Sequence, residues 1–564
     1  MEEKSLQEAK GWLSEAYDQE TRQAVQALIE AKGDELIESF YKDLDFGTGG
    51  MRGIMGVGTN RINQYTIGKA TQGLANALLE TYQKTETSVA VAYDCRNNSK
   101  ELARTCAEVL SANGIKVYLF DSLRPTPELS FAVRELGCKS GIVITASHNP
   151  KEYNGYKVYG EDGCQIVSPF DTKLIEKVRS LSIDEVNFNA NESLIHVLGE
   201  EMDQAYLKSL KTLSLSPEAI EKQKNLPVVF TGIHGTGVVM VPKALKAMGF
   251  TNIMTVAEQD LIDGNFPSVH SPNPEEPAAL ALAIELAEKK GAELVMGTDP
   301  DSDRVGIAIP NKSGAFELLN GNQTGALLVN YLITRWDERN KLTGKEFIAK
   351  TVVTTDLMDA IAESKGVKTY NTLTGFKHIG ALIRELEGKE QFIGGGEESY
   401  GYLAGDFVRD KDAVMSCMLI TEMVAWAKNQ GKDLFDLMQE MYVEQGFYLE
   451  DLISITKKGR DGLAEISNMM EVLRKTPPKT IVGEEVAEFI DYLDTSKTGL
   501  PSSNVLQFIT DRKTKVTARP SGTEPKIKFY FSVREDMDDK SQYEQTKQKL
   551  RKKISAIQAE MNLK

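Results

Sequence analysis

The stretch Gly141-Ile142-Val143-Ile144-Thr145-Ala146-Ser147-His148-Asn149-Pro150 combines an apolar run with a polar turn. Residues 142–145 are apolar or β-branched, which is typical of a parallel strand buried on both faces. Asparagine and proline then favour a turn. Ser147 is therefore predicted to lie at the carboxyl end of a buried strand, where open α/β sheets bind ligands. With His148 beside it and Lys157 soon after, it is a candidate nucleophile; the alternative is a serine that only caps the turn.

Strands and helices alternate around this stretch and predict a mostly parallel sheet. The first helix ends at Asn113-Gly114, a pair that commonly terminates helices. Alternation of this kind places covering helices on a parallel sheet. The predicted segments are a strand at 89–93, a helix at 100–112, a strand at 116–120, a helix at 127–136 and a strand at 141–145.

The same plan recurs twice, with little residue identity between the copies. Each copy ends a strand in a polar loop, and we expect the three loops to face one cleft. The repeat therefore indicates three related mixed α/β domains. The second copy has predicted strands at 226–232, 252–256 and 293–296 and helices at 241–248 and 277–290. The third copy has predicted strands at 347–354, 368–370 and 391–393 and helices at 357–364 and 379–387, and its last strand leads into Gly394-Gly395-Gly396.

The two ends of the chain differ from these modules. Residues 1–42 carry apolar side chains at helical spacing and predict helices packed on the first domain. An apolar helix at 413–427 is followed by an acidic, lysine-rich connector, strands at 505–509, 514–518 and 526–533, and a helix at 541–561. We therefore predict an α/β fold class, with a helical extension at 1–42, α/β domains at 43–205, 206–325 and 326–445, and an α+β domain at 446–564.

The composition narrows the range of partners. Acidic residues outnumber basic ones, 82 against 66, in a chain of 564 residues with a formal charge of −16. This charge disfavours nucleic acid as a partner. Five scattered cysteines without a CxxC pair indicate reduced thiols in a cytoplasmic protein and argue against disulfides or a zinc site. Neither a signal peptide nor a membrane span is expected, because no suitable apolar run is found.

Three aspartates, Asp299, Asp301 and Asp303, alternate in the loop that ends the second module. Their carboxylates can point to one side of an extended loop and share a cation, and hard oxygen ligands suit Mg²⁺. An EF-hand would need glycine at the sixth position and glutamate at the twelfth, where this chain has Arg304 and Pro310. We therefore predict a metal loop, with Arg304 available to the carboxylates and to a phosphate.

The loop that ends the third module carries groups suited to a sugar. Glu397 can accept hydrogen bonds from two neighbouring hydroxyls, and Ser399 can donate or accept. His378 and Lys411 are candidates for proton transfer, although a lone histidine or lysine is more often structural. The segment Thr374-Gly375-Phe376-Lys377-His378 precedes the sugar loop by one helix.

Two other loops are candidates for phosphate binding. Arg519-Pro520-Ser521-Gly522-Thr523 offers a guanidinium, two hydroxyls and backbone amides, although an ordinary hairpin loop is the alternative. Phe46-Gly47-Thr48-Gly49-Gly50-Met51-Arg52-Gly53 has glycines that permit close backbone approach to a phosphate. It matches neither a dinucleotide fingerprint nor a P-loop, and a plain connector stays equally open.

Four of these stretches, taken in order, resemble the α-D-phosphohexomutase superfamily of phosphoglucomutases and phosphomannomutases. They are Thr145 to Pro150, Asp299 to Arg304, Gly396 to Ser399 and Arg519 to Thr523. The resemblance implies three related α/β domains and a fourth α+β domain around a central cleft. It implies that Ser147 is phosphorylated and joins Asp299, Asp301 and Asp303 as a ligand of one Mg²⁺. It also implies that Glu397 and Ser399 bind the sugar and that the loop from Arg519 to Thr523 binds its non-reacting phosphate. Arg52, His148, Lys157, His378 and Lys411 match positions that serve phosphate contact or proton transfer, and the general base stays unidentified among them.

The activity that this resemblance implies is interconversion of glucose 1-phosphate and glucose 6-phosphate, with a hexose 1,6-bisphosphate as intermediate and activator. The Glu-Glu-Ser form of the sugar loop resembles glucose-preferring members. The glycine-rich loop with Arg52 resembles a branch that contains phosphoglucomutases and phosphopentomutases, so mannose and pentose phosphates stay open as substrates. The chain could instead be a metal-dependent phosphatase or a non-catalytic sugar-phosphate sensor. We expect a small sugar phosphate as the partner, no nucleic acid or membrane, and a monomer or dimer.

Overall fold

The computed structural model describes residues 2–47, 49–457, 459–521 and 526–563, and for 459–461 the backbone only. The chain divides into two compact units. The first comprises Met1–Leu319, Gly380–Glu387 and Gly401–Trp426, and the second comprises Asn320–Ile379, Gly388–Tyr400 and Ala427–Lys564.

Three short helices form the amino-terminal part of the first unit. They are α1 (Glu2–Gly11), α2 (Gln19–Ala31) and α3 (Asp34–Phe40). Their apolar faces form a small core around Trp12, Val25 and Phe40, which also includes Tyr65 of the helix that follows. Residues 1–42 are therefore held to the first α/β domain by aromatic packing.

The first sheet has six strands in the order β1-β5-β4-β2-β3-β6. Strands β2, β3 and β4 are mutually parallel, whereas β5 runs antiparallel to β4 and β1 antiparallel to β5. The elements are β1 (Gly50–Ile54), α4 (Gln64–Thr81), β2 (Ser88–Tyr93), α5 (Ser99–Ala112), β3 (Lys116–Phe120), α6 (Thr126–Glu135), β4 (Ser140–Ile144), β5 (Tyr153–Gly160), α7 (Phe170–Ser180) and β6 (Ile195–Leu198). The glycine-rich loop is thus partly a strand, because Gly50 opens β1.

The second sheet has five strands in the order β11-β10-β9-β7-β8. Helix α10 begins at Gly237, four residues before the predicted start at 241, because the helix tolerates Pro242 inside it with the loss of one hydrogen bond. The elements are α8 (Glu200–Lys211), α9 (Pro217–Lys222), β7 (Val228–Thr231), α10 (Gly237–Met248), β8 (Ile253–Thr255), α11 (Pro277–Lys290), β9 (Leu294–Thr298), β10 (Val305–Pro310) and β11 (Phe316–Leu319).

The second unit begins with another parallel group of strands, in which β12 lies between β13 and β14. Strand β14 runs through Gly394, Gly395 and Gly396, which were predicted to lie in the loop. A Cβ atom at Gly395 would lie 1.9 Å from the Ala349 carbonyl oxygen, so the strands approach too closely for a side chain there. The elements are α12 (Gly321–Glu338), β12 (Glu346–Thr351), α13 (Leu357–Ser364), β13 (Lys368–Thr372), α14 (Phe376–Leu386), β14 (Gln391–Gly396), β15 (Tyr402–Ala404) and α15 (Ala413–Asn429).

The carboxyl-terminal part carries a six-stranded sheet in the order β16-β21-β20-β19-β18-β17, with antiparallel pairs throughout. The segment predicted as an acidic, lysine-rich connector before residue 505 contains regular structure, with three helices and three strands. The elements are α16 (Leu434–Gln445), β16 (Phe447–Thr456), α17 (Gly459–Lys475), β17 (Thr480–Ile481), β18 (Glu484–Asp491), α18 (Thr495–Thr498), β19 (Leu506–Thr510), β20 (Lys515–Pro520), β21 (Lys526–Glu535) and α19 (Tyr543–Glu560).

One strand order is shared by the three parallel groups. In each group the first strand of the module lies between the third and the second, as β4-β2-β3, β9-β7-β8 and β14-β12-β13. In such doubly wound sheets the strand order reverses beside the first strand, and ligands bind where the strands end at that point. The predicted fold class, three related α/β domains followed by an α+β domain, is confirmed.

Candidate functional site

Ser147 is held in an uncommon backbone conformation directly after the buried strand β4. Its φ is +51°, a left-handed value that is rare for serine and that the surrounding structure must enforce. Its amide donates to Thr145 Oγ1 at 2.8 Å, and Thr145 Oγ1 donates to Asp94 Oδ2 at 2.7 Å. The Arg96 guanidinium donates to the Ser147 carbonyl oxygen. The loop therefore fixes the direction in which the Ser147 hydroxyl points.

That hydroxyl points at the aspartate loop of the second sheet. Ser147 Oγ donates to Asp299 Oδ2 at 2.8 Å and lies 3.2 Å from His148 Nδ1. Asp299 follows β9 directly, and its other oxygen accepts from the amides of Asp303 and Arg304 at 3.1 and 3.0 Å. Two strand ends of different sheets in the first unit are thus joined by one hydrogen bond.

The three aspartates form a compact, buried group of carboxylates. One oxygen each from Asp299, Asp301 and Asp303 lies within 4.8 Å of the others, and all three side chains are buried. Asp301 Oδ1 and Asp303 Oδ1 accept no hydrogen bond in the described part of the chain. Burial, followed by the charges of Asp301 and Asp303, raises the pKa of Asp299 well above its usual range. These carboxylates keep oxygens that are available to coordinate a metal, and a divalent cation would offset the repulsion between their negative charges. The group therefore fits Mg²⁺.

Two lysines approach the same carboxylates from other elements. Lys157 on β5 donates to Asp301 Oδ2 at 2.7 Å and to Asp303 Oδ2 at 3.1 Å, and Lys411 Nζ lies 3.1 Å from Asp303 Oδ2. Burial alone would raise the pKa of Asp303, but Lys157, Lys411 and Arg304 lower it below its ordinary value. Burial alone would lower the pKa of Lys157, but Asp301 and Asp303 raise it, so this lysine is a cation.

His148 and the two arginines complete this group in the first unit. Burial, followed by the charge of Arg304, lowers the pKa of His148 well below 6.5, so the imidazole is neutral at pH 7. Arg304 donates from Nη1 to Glu275 Oε1 at 2.6 Å. Arg52 lies exposed on β1 opposite Gly155, and its charge also contributes to the low pKa of His148.

The predicted sugar-binding residues lie in the second unit. The Gly375 amide donates to Glu397 Oε1 at 3.0 Å, which joins the segment that contains Thr374 to the end of β14. Ser399 is partly buried two residues further on. Burial and the charge of Lys377 lower the pKa of His378 to about 4. Glu397 is therefore already oriented by a backbone amide.

Glu398, the middle residue of the sugar loop, faces the strand rather than standing free. Its Oε2 accepts from Thr351 Oγ1 and Thr354 Oγ1, both at 3.2 Å, and its amide donates to Thr354 Oγ1. The loop is thus tied to the end of the neighbouring strand β12.

The predicted phosphate loop follows β20 in the same unit. Arg519 pairs with Lys528 across the sheet, and the Ser521 amide donates to the Lys526 carbonyl oxygen at 2.7 Å. Gly522 and Thr523 lie outside the described residues. Burial, Glu398 and Glu397 raise the pKa of Tyr530 to about 12, whereas Arg519 opposes this increase through its charge and a hydrogen bond. Arg519 and the sugar loop are thus both close enough to Tyr530 to affect its pKa.

The structure therefore places the predicted residues in two groups. One group lies in the first unit, where its members are linked by contacts or by electrostatic effects: Ser147, His148, Lys157, Arg304, Lys411 and the three aspartates. The charge of Arg52 affects this group through the pKa of His148. Thr374, Gly375, His378, Glu397, Ser399, Arg519 and Ser521 lie in the second unit.

Sequence reasoning missed several residues that support these groups. Thr126 donates from its hydroxyl to Asp301 Oδ2 at 2.9 Å, and its amide donates to the Asp301 carbonyl oxygen at 2.9 Å. Asp94, at the end of β2, braces Thr145. A signal for Asp94 was present, because it is a polar residue directly after a buried parallel strand, as Ser147 is.

Comparison with known proteins finds relatives that match most of the chain. The chain matches the family models for domains I, II and III of phosphoglucomutase/phosphomannomutase over residues 43–183, 204–314 and 320–444. It is 38% identical over 529 residues to the phosphoglucomutase of Staphylococcus haemolyticus, which covers 90% of this chain and 95% of the relative. It is 39% identical over 548 residues to that of Staphylococcus aureus strain N315, which covers 94% and 96%.

Solved structures share the fold at lower identity. The open form of parafusin, a phosphoglucomutase from Paramecium, superposes with a TM-score of 0.69 at 19% identity, covering 92% of this chain and 96% of that one. A phosphoglucomutase/phosphomannomutase family protein from Burkholderia thailandensis gives 0.64 at 20% identity, covering 91% and 97%. Because the three domain models and the relatives extend over most of its length, the chain belongs to the phosphoglucomutase/phosphomannomutase family of the α-D-phosphohexomutase superfamily.

Proposed function

We propose that this protein is a phosphoglucomutase that interconverts glucose 1-phosphate and glucose 6-phosphate. The observation that carries the proposal is the 2.8 Å hydrogen bond from Ser147 Oγ to Asp299 Oδ2 in a buried aspartate triad. A serine hydroxyl beside a cluster of carboxylates that could hold a metal suits a phosphoryl carrier. A protein that only senses sugar phosphates would need neither the serine nor the carboxylate cluster. The staphylococcal relatives are phosphoglucomutases, which supports glucose phosphate as the substrate.

One Mg²⁺ is the proposed cofactor. Asp299, Asp301 and Asp303 would hold it together with the phosphate on Ser147. Two of these carboxylates keep a buried oxygen without a hydrogen bond in the described part of the chain, as ligands for a hard cation would. When bound, the ion supplies positive charge that stabilises the transferring phosphoryl group.

The proposed cycle consists of two phosphoryl transfers. In the first, the bond between phosphorus and Ser147 Oγ breaks as a bond to a free sugar hydroxyl forms. That hydroxyl gives its proton to a base, and the Ser147 oxygen takes up a proton to become a free hydroxyl. The product is a hexose 1,6-bisphosphate. In the second, the other phosphate of this bisphosphate moves to Ser147 Oγ, whose hydroxyl gives its proton to a base, and the oxygen that the phosphate leaves on the sugar takes up a proton. The phosphoserine is regenerated, and the sugar phosphate has been isomerised.

The charges in the site suggest separate roles for its basic residues. Lys157 is a cation held against two aspartates, so we propose that it stabilises charge and does not accept protons. Arg52, Arg304 and Lys411 would contact phosphate oxygens. His148 and His378 both have a lowered pKa and are neutral at pH 7, which makes them the candidate bases.

The second unit would supply substrate binding. We propose that Glu397 and Ser399, with Thr374 and Gly375, bind sugar hydroxyls. The loop with Arg519, Ser521, Gly522 and Thr523 would hold the phosphate that does not react. Because the cycle turns over both ends of the sugar, this loop must accept either phosphate.

Domain limits and location complete the proposal. The matched ranges support boundaries close to residues 42, 205, 325 and 445. Five free cysteines, of which four are buried, support a reducing compartment such as the cytoplasm. No helix in the described ranges is long and apolar enough to cross a membrane.

A coupled assay tests the proposal. Purified protein with Mg²⁺ and a trace of glucose 1,6-bisphosphate should convert glucose 1-phosphate to glucose 6-phosphate. Mannose 1-phosphate and ribose 1-phosphate, assayed beside it, should turn over more slowly. A large preference for ribose or mannose would end the glucose assignment. Release of inorganic phosphate without any bisphosphate requirement would instead identify a phosphatase.

A further inference from the structure

A separate cavity lies in the first unit between the amino-terminal helices and the first α/β domain. Its volume is about 590 Å³, within the usual range for small-molecule sites. Its wall includes Met51 on β1, and it contains none of the residues assigned above to phosphoryl transfer or sugar binding. Because alternate strand residues face opposite sides, Met51 faces the cavity and its neighbour Arg52 faces away.

One side of this cavity is formed by three aromatic rings. Trp12 and Tyr17 are stacked with their centroids 4.5 Å apart, and Tyr65 meets both rings edge-on at 5.7 and 4.7 Å. The Tyr65 hydroxyl donates to Asp18 Oδ2 at 2.6 Å and accepts from the Asp18 amide at 2.7 Å. The rings are thus fixed in place. Each of the three residues is more than nine-tenths buried, so the cavity exposes only a small part of each ring, and aromatic rings attract cations that come within about 6 Å of their centroids.

Carboxylates outnumber cations around the cavity, four against two. The acidic residues are Glu8, Asp43, Asp45 and Asp184, and the basic residues are Lys69 and Arg179.

Ion pairing leaves part of this negative charge uncompensated. Lys69 Nζ lies 3.9 Å from Asp43, and Lys42 pairs with Asp45 at 3.0 Å, whereas Glu8 and Asp184 form no ion pair in the described part of the chain. Arg179 is exposed to solvent, and so are Glu8 and Asp184, so solvent partly screens all three charges. The negative field is felt inside the cavity, because burial, Tyr65, Asp184 and Glu8 raise the pKa of Tyr17 to about 12.

We propose that this cavity binds a small organic cation, an amine with a planar apolar body. The body would lie against Trp12, Tyr17 and Tyr65, and the ammonium group would be attracted by Glu8 and Asp184. Apolar burial and cation–π attraction then act together, and each carboxylate adds a charge-assisted hydrogen bond. Anions would be repelled by the same carboxylates. Among the described residues, the cavity shares no lining residue with the groups proposed for phosphoryl transfer.

Isothermal titration calorimetry with three ligands of one shape tests the proposal. Phenethylamine is the cation, 2-phenylethanol its neutral counterpart and phenylacetate its anionic counterpart. We expect phenethylamine to bind about tenfold more tightly than 2-phenylethanol, because only the amine gains cation–π attraction to the rings and charge attraction to the carboxylates. We expect phenylacetate not to bind, because the carboxylates repel it. Benzyltrimethylammonium serves as a second cationic probe.

Matched variants locate the binding. Glu8→Gln/Asp184→Asn should weaken phenethylamine binding about fivefold or more. Glu86→Gln/Glu176→Gln removes the same charge from exposed positions that do not line the cavity and should leave binding unchanged. Thermal melts check that both variants fold. The proposal is overturned if neither cation binds, if 2-phenylethanol binds as tightly as phenethylamine, if phenylacetate binds, or if the two variants weaken binding equally.

Discussion

For individual residues, the geometry around Ser147 depends on hydrogen bonds that involve Thr145 and Asp94 and that composition and residue spacing do not predict. The sequence predicted the serine and the aspartates because each follows a buried strand in a polar loop. It did not predict the left-handed backbone of Ser147 or its support by Thr145 and Asp94, because these depend on contacts between strands that are distant in sequence. The sequence pattern therefore indicates candidate reactive residues more readily than the residues that orient them.

Replacing Ser147, the proposed phosphoryl carrier, gives the most direct prediction. Ser147→Ala should lower mutase turnover by about 10³-fold or more, because the phosphoryl group has no acceptor oxygen on the enzyme. Glucose 1-phosphate should still bind. Intact mass after treatment with glucose 1,6-bisphosphate should show a phosphate adduct on the wild type only.

A buried serine at the other end of the same strand is the control. Ser140 donates to the Tyr159 carbonyl oxygen at 2.7 Å, so Ser140→Ala should cost about 1 kcal/mol of stability and retain turnover. Substantial mutase activity in Ser147→Ala would reject Ser147 as the carrier.

The aspartate triad gives a second prediction at this scale. Asp301→Asn should weaken Mg²⁺ binding and turnover together, by about tenfold or more, because it removes one of three clustered carboxylates. Titration of Mg²⁺ by calorimetry and by activity measures both. Glu285→Gln, an exposed change on α11 in the same domain, should alter neither. A variant that keeps the wild-type Mg²⁺ dependence would remove the triad from the metal site.

At the scale of the element, the strength of the local pattern decided what could be predicted. Helix α11 was predicted at 277–290 and spans Pro277–Lys290, because proline and glycine mark its ends. Helix α4 was missed, since it contains two glycines that contact other elements: a Cβ atom at Gly68 would meet Phe188 and one at Gly73 would meet Val178. Its place in the fold is thus set by tertiary packing, which a single-sequence pattern does not contain.

Asp412 joins two elements and makes stability depend on pH. Its Oδ1 accepts from the Met415 amide in the first turn of α15 at 2.8 Å, and its Oδ2 accepts from the Tyr206 hydroxyl on α8 at 2.7 Å. Burial raises the pKa of Asp412 from 3.8 to about 6. The folded state therefore holds this proton more tightly than the unfolded state does, so the stability contribution of Asp412 decreases as pH rises from about 4 to about 6.

The variant Asp412→Asn should remove that decrease, because an amide does not titrate. Its oxygen can still accept from the Met415 amide, while its NH2 group can donate to the Tyr206 hydroxyl oxygen. The difference in unfolding free energy between variant and wild type should shift in favour of the variant by up to about 3 kcal/mol between pH 4 and pH 6.5. Urea unfolding of both proteins without metal, at several pH values, measures this difference, in which the other titrating groups cancel. A difference that stays constant with pH would contradict the raised pKa.

At the scale of the whole molecule, the division into two units separates the predicted functions. The aspartate triad, Ser147 and Lys411 lie in the first unit, and the sugar and phosphate loops lie in the second. The repeated strand order explains why similar polar loops occur in both, since each follows the third strand of a module. The repeat could be predicted from the alternation of strands and helices alone. The regular structure between residues 434 and 491 was not predicted, because its strands are largely polar on their exposed faces.

Metal binding should therefore stabilise the two units unequally. Mg²⁺ at a concentration of 100 times its dissociation constant adds about 2.7 kcal/mol to the state that binds it. Hydrogen exchange with and without Mg²⁺ should show slower exchange around Ser147, Asp299 to Arg304 and Lys411. Peptides of the carboxyl-terminal sheet, residues 447–535, should be unchanged, and Asp301→Asn should abolish the protection. Equal protection in both parts, or protection confined to the carboxyl-terminal sheet, would show that the ion acts elsewhere than at the triad.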